Sequence, residues 1–536
     1  MILNCILVLS LLFVTFFKTK RSLHMLQQNL YNENNRYIKW VVRNYKQFID
    51  FDILSIIISV LCLVFFYKVH VVSMIGVLFI IAIDYYLGYK WIKRISNDQN
   101  KKPLVVTARI KRLIFTIVVL YFIPFWLMSY YILDSEFFWL MLVILTCMVY
   151  FNNFVVLLSN IINIPVEKMV YIYYKGKAKR KLKQMSGLKV IGITGSYGKT
   201  SSKNILSEIL NIKYNALPTP RNLNTFYGLM MTVNNYMDKF TDIFIAEMGA
   251  YVRGEIKGLC KLIKPKYGIL TRIGTAHLES FGSEENIVSA KFELIESLPS
   301  DGFAVLNGDD PKQVSYNLKN NVKTIWIGID NKNVDVRAVN IKCSSKGTTF
   351  DVLLKESGKK YTFETKLLGD HNVYNILAAI ACGIEFGIDI DELIVAVKGV
   401  KPVEHRLELK KLGNFYQIDD AYNSNPVGAA SACKVLGMMP GIKVVVTPGM
   451  IELGAKEYEY NKEFGKQIAK VADYAVLIGE KKTKPIMEGL LDKGFDKDKI
   501  IVFNDVRDAY GFISGLTDKK DVYALFENDL PDTYNE

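Results

Sequence analysis

Gly195-Ser196-Tyr-Gly198-Lys199-Thr200-Ser201 is the stretch whose residue types and spacing speak most directly of chemistry. Glycines let backbone N–H groups turn toward a phosphate, and a following helix adds its positive N-terminal end. Lys199 can then reach the terminal phosphates of a nucleotide, and the Thr200 hydroxyl can hold Mg2+. The general phosphate-loop pattern asks for a glycine five residues before Gly198. That position is Ile193, so the match is to the variant T-G-S-x-G-K-T-S.

Such a loop needs a strand before it and a helix after it. Lys189–Thr194 is a short β-branched run that reads as a buried strand, and Ile205, Ile209 and Leu210 recur at helical spacing beyond the loop. A second apolar run, Ile243–Ala246, delivers the Glu247 carboxylate to a strand end, and Ser289–Leu298 reads as helix with Lys291 near its start. Lys443–Thr447, Tyr474–Ile478 and Ile500–Phe503 are further strand candidates separated by helical stretches, the alternation of an α/β fold.

The first third of the 536 residues has another character. Five apolar runs, Ile2–Phe17, Ile53–Tyr67, Val71–Leu87, Leu113–Leu133 and Phe137–Ile161, precede residue 162. The last two reach the roughly 20 residues that cross a bilayer. Residues 1–186 carry 23 basic against eight acidic side chains, while the remainder is nearly neutral, so the net charge of +14 belongs to the apolar third. Segments 18–50, 90–112 and 162–186 hold 22 of those cations. The positive-inside rule makes them cytoplasmic, with five spans, the N-terminus outside and the rest of the chain at the cytoplasmic face of the cell membrane. Asp84, beside Tyr85 and Tyr86, reads as interfacial. The near-neutral remainder gives no electrostatic support for nucleic acid as a partner. Seven cysteines without a CxxC pair read as small buried thiols.

From about Leu188 to about Gly479 the motifs arrive in a familiar order. Pro220-Arg-Asn222-Leu-Asn224 follows the phosphate loop, then Ile245-Ala-Glu247-Met-Gly249, Thr271-Arg-Ile-Gly-Thr-Ala-His277-Leu-Glu279 and Lys291. Asn307-Gly-Asp309-Asp310, Gly369-Asp-His371-Asn372-Val-Tyr-Asn375, His405-Arg406, Asp419-Asp420-Ala-Tyr422-Asn423-Ser-Asn425-Pro426 and Glu452-Leu-Gly454 complete the series. In this the sequence resembles the Mur ligase family, ATP-dependent amide-bond ligases of peptidoglycan synthesis, and within it the D-alanyl-D-alanine-adding branch.

The resemblance implies ATP with Mg2+, two ions for preference, as cofactors. Gly195, Ser196, Gly198, Lys199, Thr200 and Ser201 would hold the phosphates, and Thr200, Glu247, His277 and Lys291 would serve the metals. Lys291 would do so as a carbamate, because related ligases carbamylate the matching lysine. Lys199, His277 and Lys291 become the catalytic set. Asn372 and Asn375 would contact adenine, and Arg406 and Asp420 the phosphates and ribose. Asn222, Asn224, Tyr422, Asn423, Asn425 and Glu452 would face the substrates. The implied chemistry activates an acceptor carboxylate as an acyl phosphate, which an amine then attacks.

The expected architecture is an α-helical membrane domain (1–161), a basic linker (162–186), a Mur-ligase-type central ATPase domain with a mostly parallel sheet (187–403) and a smaller dinucleotide-fold-like domain (404–536). Relatives in the branch begin instead with a small domain for the UDP-sugar end of the acceptor. The membrane domain in its place points to a lipid-linked envelope precursor, with a nucleotide-linked one as the family default. The amine would be an amino acid or dipeptide, D-Ala-D-Ala by default. Two departures blur that choice, Thr447-Pro-Gly-Met-Ile-Glu452 and Phe526-Glu-Asn-Asp-Leu-Pro531, where the branch has Gly-Asp-Met and Lys-Gly-Ser-Arg forms. A poly-γ-glutamate-synthase-like or envelope-polysaccharide amide ligase, and a non-catalytic nucleotide-binding membrane scaffold, are the alternatives.

Overall fold

The computed structural model describes residues 2–45, 52–66, 68–97, 103–130, 135–344, 346–421, 424–451, 453–517 and 521–529. The chain divides into two compact units between Tyr173 and Tyr174.

The first unit is helical. Helices Ile2–Gln28, Asp52–Leu61, His70–Asn97, Ala108–Tyr130, Glu136–Tyr150 and the first part of Asn152–Gln184 enclose a core that includes Leu7, Leu11, Ile80, Leu113, Trp139 and Leu142. Among the described residues three helices are long and apolar enough to cross a membrane: His70–Lys93, Ala108–Met128 and Asn152–Gln184. Two further apolar helices, Ile53–Phe65 and Glu136–Tyr150, are shorter. The second run is a short helix closed by a π-turn at Cys62–Phe66, its last residue, Tyr67, lying outside the described residues. The fifth run breaks at Phe151, because Asn152 and Asn153 are hydrogen-bonding hubs. Asn152 donates to the Ser22 hydroxyl at 3.0 Å and accepts from Tyr121 at 3.1 Å, and Asn153 accepts from Tyr37 at 3.0 Å. Asp84 lies inside this helical unit. It is buried and accepts from the Ser10 hydroxyl at 2.9 Å. The basic segment 162–186 is no separate linker either, since helix Asn152–Gln184 runs through it.

The second unit holds two sheets. The larger orders its nine strands as Ala216–Pro218, Ile243–Glu247, Lys189–Thr194, Tyr267–Leu270, Phe303–Asn307, Lys323–Gly328, Val336–Ser344, Gly347–Leu354 and Lys360–Thr365. Every neighbouring pair as far as Val336–Ser344 is parallel, and the last two strands return antiparallel. The central strands are buried along most or all of their length, as expected of a parallel sheet with helices on both faces. Register matters for function: Ile193 pairs with Glu247, so the strand that feeds the phosphate loop and the strand that ends in the carboxylate finish side by side. Ligands of open α/β sheets bind beyond such carboxyl ends.

The smaller sheet runs Glu408–Leu412, Phe415–Asp420, Val522–Glu527, Ile442–Thr447, Tyr474–Ile478 and Ile500–Phe503, parallel except for its first pair. Here Asp420 pairs with Glu527. The chain passes from one sheet to the other through His405 and Leu407, both left-handed at φ 58° and 49°, with Arg406 between them.

Candidate active site

Gly198 (φ 82°) caps helix Lys199–Leu210, and Gly195 (φ 152°) turns the chain out of its strand. A Cβ on Gly195 would lie 1.9 Å from Thr271 Oγ1, so only glycine fits there. Thr271 closes the loop from the neighbouring strand end, its hydroxyl donating to Tyr197 O at 2.6 Å, while Ser196 donates to Gly274 O at 3.1 Å. The Lys199 ammonium arches over the loop, donating to Gly195 O at 2.8 Å and Ser196 O at 3.1 Å. Burial lowers its pKa, Glu247 opposes that, and Arg406 adds to the lowering. An ammonium held with little hydration is a strong partner for phosphate oxygens.

Glu247 closes the floor of the site. Burial raises the pKa of its carboxyl, but Lys203 and Lys199, with a hydrogen bond from Asn224 Nδ2 at 3.0 Å, outweigh it, and the group stays below its ordinary value. Lys203 Nζ stands 3.0 Å from Oε2 in an ion pair sealed from solvent, so Oε2 is a buried anionic oxygen. The same ammonium donates to Arg221 O at 2.5 Å, tying the Pro220–Asn224 loop to the phosphate-loop helix. The sequence reading passed over Lys203. Its signal was a lysine four residues beyond Lys199, on the same helix face, among buried apolar positions.

His277 takes a left-handed conformation (φ 61°) at the start of helix Leu278–Phe281, with its ring 4.5 Å from that of Tyr251. The turn leading to it is held by Asp310, which accepts Ile273 N–H at 2.8 Å. Lys291 lies on helix Glu284–Glu296, buried, its ammonium 5.4 Å from the Phe281 ring. Burial first, then the nearby Lys199, press its pKa well below the ordinary lysine value, which favours the free amine.

An open cleft of about 240 Å³ joins the phosphate loop, Glu247 and His277, while Lys291 is not among its lining residues. Ser196, Gly198, Lys199, Thr200, Ser201, Asn222, Asn224, Glu247 and His277 line one side, and Arg406, Ser424, Asn425, Ile451 and Leu453 the other. Asn425 also caps helix Pro426–Gly437 by accepting Gly428 N–H at 2.9 Å. Tyr422, Asn423 and Glu452 lie outside the described residues.

Asn372 and Asn375 stand beside the phosphate loop. Both are buried behind the loop: Asn375 accepts from Ser202 at 2.6 Å and Asn372 donates to Leu368 O at 2.9 Å. Asn375 thereby braces helix Asp370–Glu385 against the phosphate-loop helix, its Oδ1 3.2 Å from where a Cβ on Gly198 would lie. Asp420 is also buried. Burial raises its pKa to about 6 against the pull of Arg406, and burial with Asp420 beside it carries Glu527 well above the ordinary range. Two carboxyls paired across adjacent strands share a proton in this way. Ser424 donates to Glu527 Oε1 at 2.5 Å, linking the pair to the cleft wall.

No group of three or more His, Cys, Asp and Glu side chains positioned for a metal occurs among the described residues. Mg2+ does not need one, since it keeps several waters and takes one or two protein oxygens beside the phosphates. Glu247 Oε2 and the Thr200 hydroxyl fit that demand.

The cleft so built falls within two matched families: the Mur ligase middle domain over residues 193–383, and the Mur ligase glutamate ligase domain over 405–526. The chain is 34% identical over 349 residues to UDP-N-acetylmuramoyl-tripeptide--D-alanyl-D-alanine ligase of Bacillus subtilis, covering 64% of this chain and 74% of that protein. The Escherichia coli enzyme of the same name is 32% identical over 287 residues, 53% of this chain and 63% of its own length. The crystal structure of MurF ligase from Thermotoga maritima in complex with ADP superposes with a TM-score of 0.60 at 27% identity, covering 68% of this chain and 81% of that one. Sequence and fold agree with the cleft that joins Lys199, Glu247 and Arg406: the chain belongs to the Mur ligase family and is an ATP-dependent, ADP-forming amide ligase.

Proposed function

We propose that the protein is a membrane-anchored ligase of peptidoglycan or related envelope synthesis that joins an amino acid or dipeptide, D-Ala-D-Ala by default, to the carboxylate of a lipid-linked precursor. One observation carries the reading. The family match begins at residue 193, and the helices before it include three of membrane-crossing length. An acceptor held in the same bilayer would need no separate domain for a soluble nucleotide handle.

In this reading Lys199 and Arg406 face each other across the cleft to neutralise the phosphoryl group as it passes from ATP to the acceptor carboxylate, giving ADP and an acyl phosphate. The amine nitrogen then attacks the acyl carbon, and the tetrahedral adduct expels phosphate and leaves the amide. Glu247 and Thr200 would hold Mg2+, which supplies charge neutralisation at the phosphates. Lys291, whose pKa burial presses well below the ordinary lysine value, suits addition to CO2 with loss of a proton, and the resulting carbamate would be a second anionic ligand beside His277. Closing the wall that carries Arg406 and Asn425 over the nucleotide would keep water from the acyl phosphate.

A second reading is favoured by the names of the relatives, which act on a UDP-linked tripeptide. The protein would then use a soluble nucleotide-linked acceptor, with its helices serving location alone. Anchoring is tested by alkaline carbonate extraction of membranes holding the full chain, which should leave the protein in the pellet; release into the supernatant removes the first reading. ADP release across a panel of amines then identifies the donor.

A further inference from the structure

Strands Phe415–Asp420 and Val522–Glu527 end side by side in the smaller sheet, and each ends in a carboxyl. Asp420 and Glu527 lie within hydrogen-bonding reach of each other, which two acids achieve by keeping one proton between them. Glu527 is the more deeply buried of the two and holds that proton. The hydrogen bonds then run in one direction. Ser424 donates its hydroxyl to Glu527 Oε1 at 2.5 Å, and Glu527 donates in turn to the Asp420 carboxylate. Ser424 lines the cleft on the same wall as Arg406. Asn528 fixes it there, accepting Ser424 N–H at 3.3 Å and donating from Nδ2 to Gly449 O at 2.5 Å. Three other groups face the pair: Arg406, which draws both carboxyls toward the ionised form, Asp419, which opposes that at Asp420, and the Cys433 thiol of helix Pro426–Gly437. Asp419 is itself engaged by His405 Nδ1 at 2.8 Å and Lys410 Nζ at 3.2 Å. Glu527 belongs to the Phe526–Pro531 stretch that departs from the branch.

We propose that Ser424, Glu527 and Asp420 form a relay that takes the first proton from the attacking amine. The relay rests on the amide-ligase activity alone and holds for either acceptor. An amine arrives as an ammonium ion, which has no lone pair, and it must give up a proton before it can attack. That proton passes to Ser424 Oγ as the Ser424 hydroxyl proton passes to Glu527 Oε1 and Glu527's own proton passes to Asp420. The carboxyl pair goes from one negative charge to none. The freed lone pair forms the N–C bond, the C–O bond to phosphate breaks, and the second nitrogen proton leaves with the phosphate as hydrogen phosphate. Position suits this step. Arg406 neutralises the phosphoryl group, so the acyl carbon bonded to that group lies beside the wall that presents Ser424. Burial brings Asp420 up to about 6 against the pull of Arg406, near the working range of a general base. Glu247, the carboxylate on the cleft floor, is paired with Lys203 and held ionised, which makes it a poor proton acceptor.

The test compares the native full chain with Glu527→Gln and Ser424→Ala, given ATP, Mg2+ and a lipid-linked or UDP-linked muramoyl peptide in separate arms. The amine is D-Ala-D-Ala or hydroxylamine, which is uncharged at neutral pH and attacks an acyl phosphate without a base. Glutamine keeps the oxygen that Ser424 donates to but passes no proton. Both variants should lose amide formation with D-Ala-D-Ala by about 10²–10⁴-fold, while the KM for ATP and hydroxamate formation stay near native. Native amide formation should fall below about pH 6, where Asp420 takes up a proton on its own. The Glu527→Gln rate should instead climb about tenfold per pH unit through neutrality, following the free fraction of the amine. Amide and hydroxamate lost together would mark a structural role and overturn the relay, as would unchanged amide formation in either variant. Infrared difference spectra, native minus Glu527→Gln at pH 7 without substrate, give a second readout. A protonated carboxyl band supports the shared proton, and its absence overturns it.

Discussion

Lys203 Nζ lies 3.0 Å from Glu247 Oε2, with both side chains sealed from solvent. The pair bonds the phosphate-loop helix to the neighbouring strand, and Lys203 also holds the Arg221 carbonyl, so one ammonium fixes three walls of the site. Removing one partner of a buried pair strands the other charge, at about 3–5 kcal/mol. Lys203→Met should therefore lower the unfolding temperature of the second unit and abolish ADP release. Lys203→Met with Glu247→Gln should recover part of the stability and none of the activity. Thermal unfolding beside ADP-release assays reads both.

Lys199 makes its contacts to the loop carbonyls and faces the cleft, so its loss takes charge from the site without opening the core. Lys199→Ala should cut ADP release about 10²–10³-fold and leave the unfolding transition nearly unchanged. A chain that keeps full ligase turnover without this lysine would remove it from the chemistry.

Gly195 and Gly258 make a matched pair. At Gly195 a methyl would meet Thr271 Oγ1 at 1.9 Å on a backbone of φ 152°, whereas at Gly258, inside helix Glu255–Ile263, nothing lies within 4 Å. Gly195→Ala should distort the loop and weaken nucleotide binding. Gly258→Ala should bind nucleotide normally and gain about 0.5–1 kcal/mol in stability. Titration with a fluorescent ATP analogue, beside thermal unfolding, separates the two.

His371 Nδ1 sits 2.9 Å from Ser431 Oγ, across the seam between the two sheets' helices. Burial brings its pKa down to about 4, with Asp370 pulling the other way. The folded chain therefore binds fewer protons here than the unfolded chain, whose histidine titrates near 6.5. Stability falls as pH drops below about 6.5, and the loss is complete near pH 4 at about 3 kcal/mol. His371→Asn should flatten that part of the stability profile while leaving it unchanged at pH 8. Unfolding temperatures of both proteins between pH 8 and pH 4.5 check the sign.

What could be read from the sequence follows a physical line. The phosphate loop is local chemistry on a strand and a helix that adjoin it in the chain, so its residues and its setting were legible together. Glu247 was legible as a strand end, but its partner Lys203 was not, because the Ile193–Glu247 register is a long-range fact and a lysine one turn along a helix reads as solvated. The packing partners of Asn372 and Asn375 were hidden for a similar reason. An i, i+3 pair declares a shared helix face, but which neighbour that face meets is settled by the packing of Ser202 against it. Phe526-Glu527-Asn528 was visible as a departure from the family, while its pairing with Asp420 emerged only in the sheet. The five apolar runs were counted by hydropathy alone, which cannot see that Asn152 and Asn153 have partners on other helices.

The central claim is that the acceptor is presented by the membrane that holds the enzyme. The full chain in vesicles, given ATP, Mg2+ and D-Ala-D-Ala, should be offered a lipid-linked muramoyl peptide and its UDP-linked counterpart at equal total concentration, with ADP and amide product both measured. The account predicts one ADP per amide and faster ligation of the lipid-linked acceptor. Equal or faster ligation of the UDP-linked acceptor would contradict it.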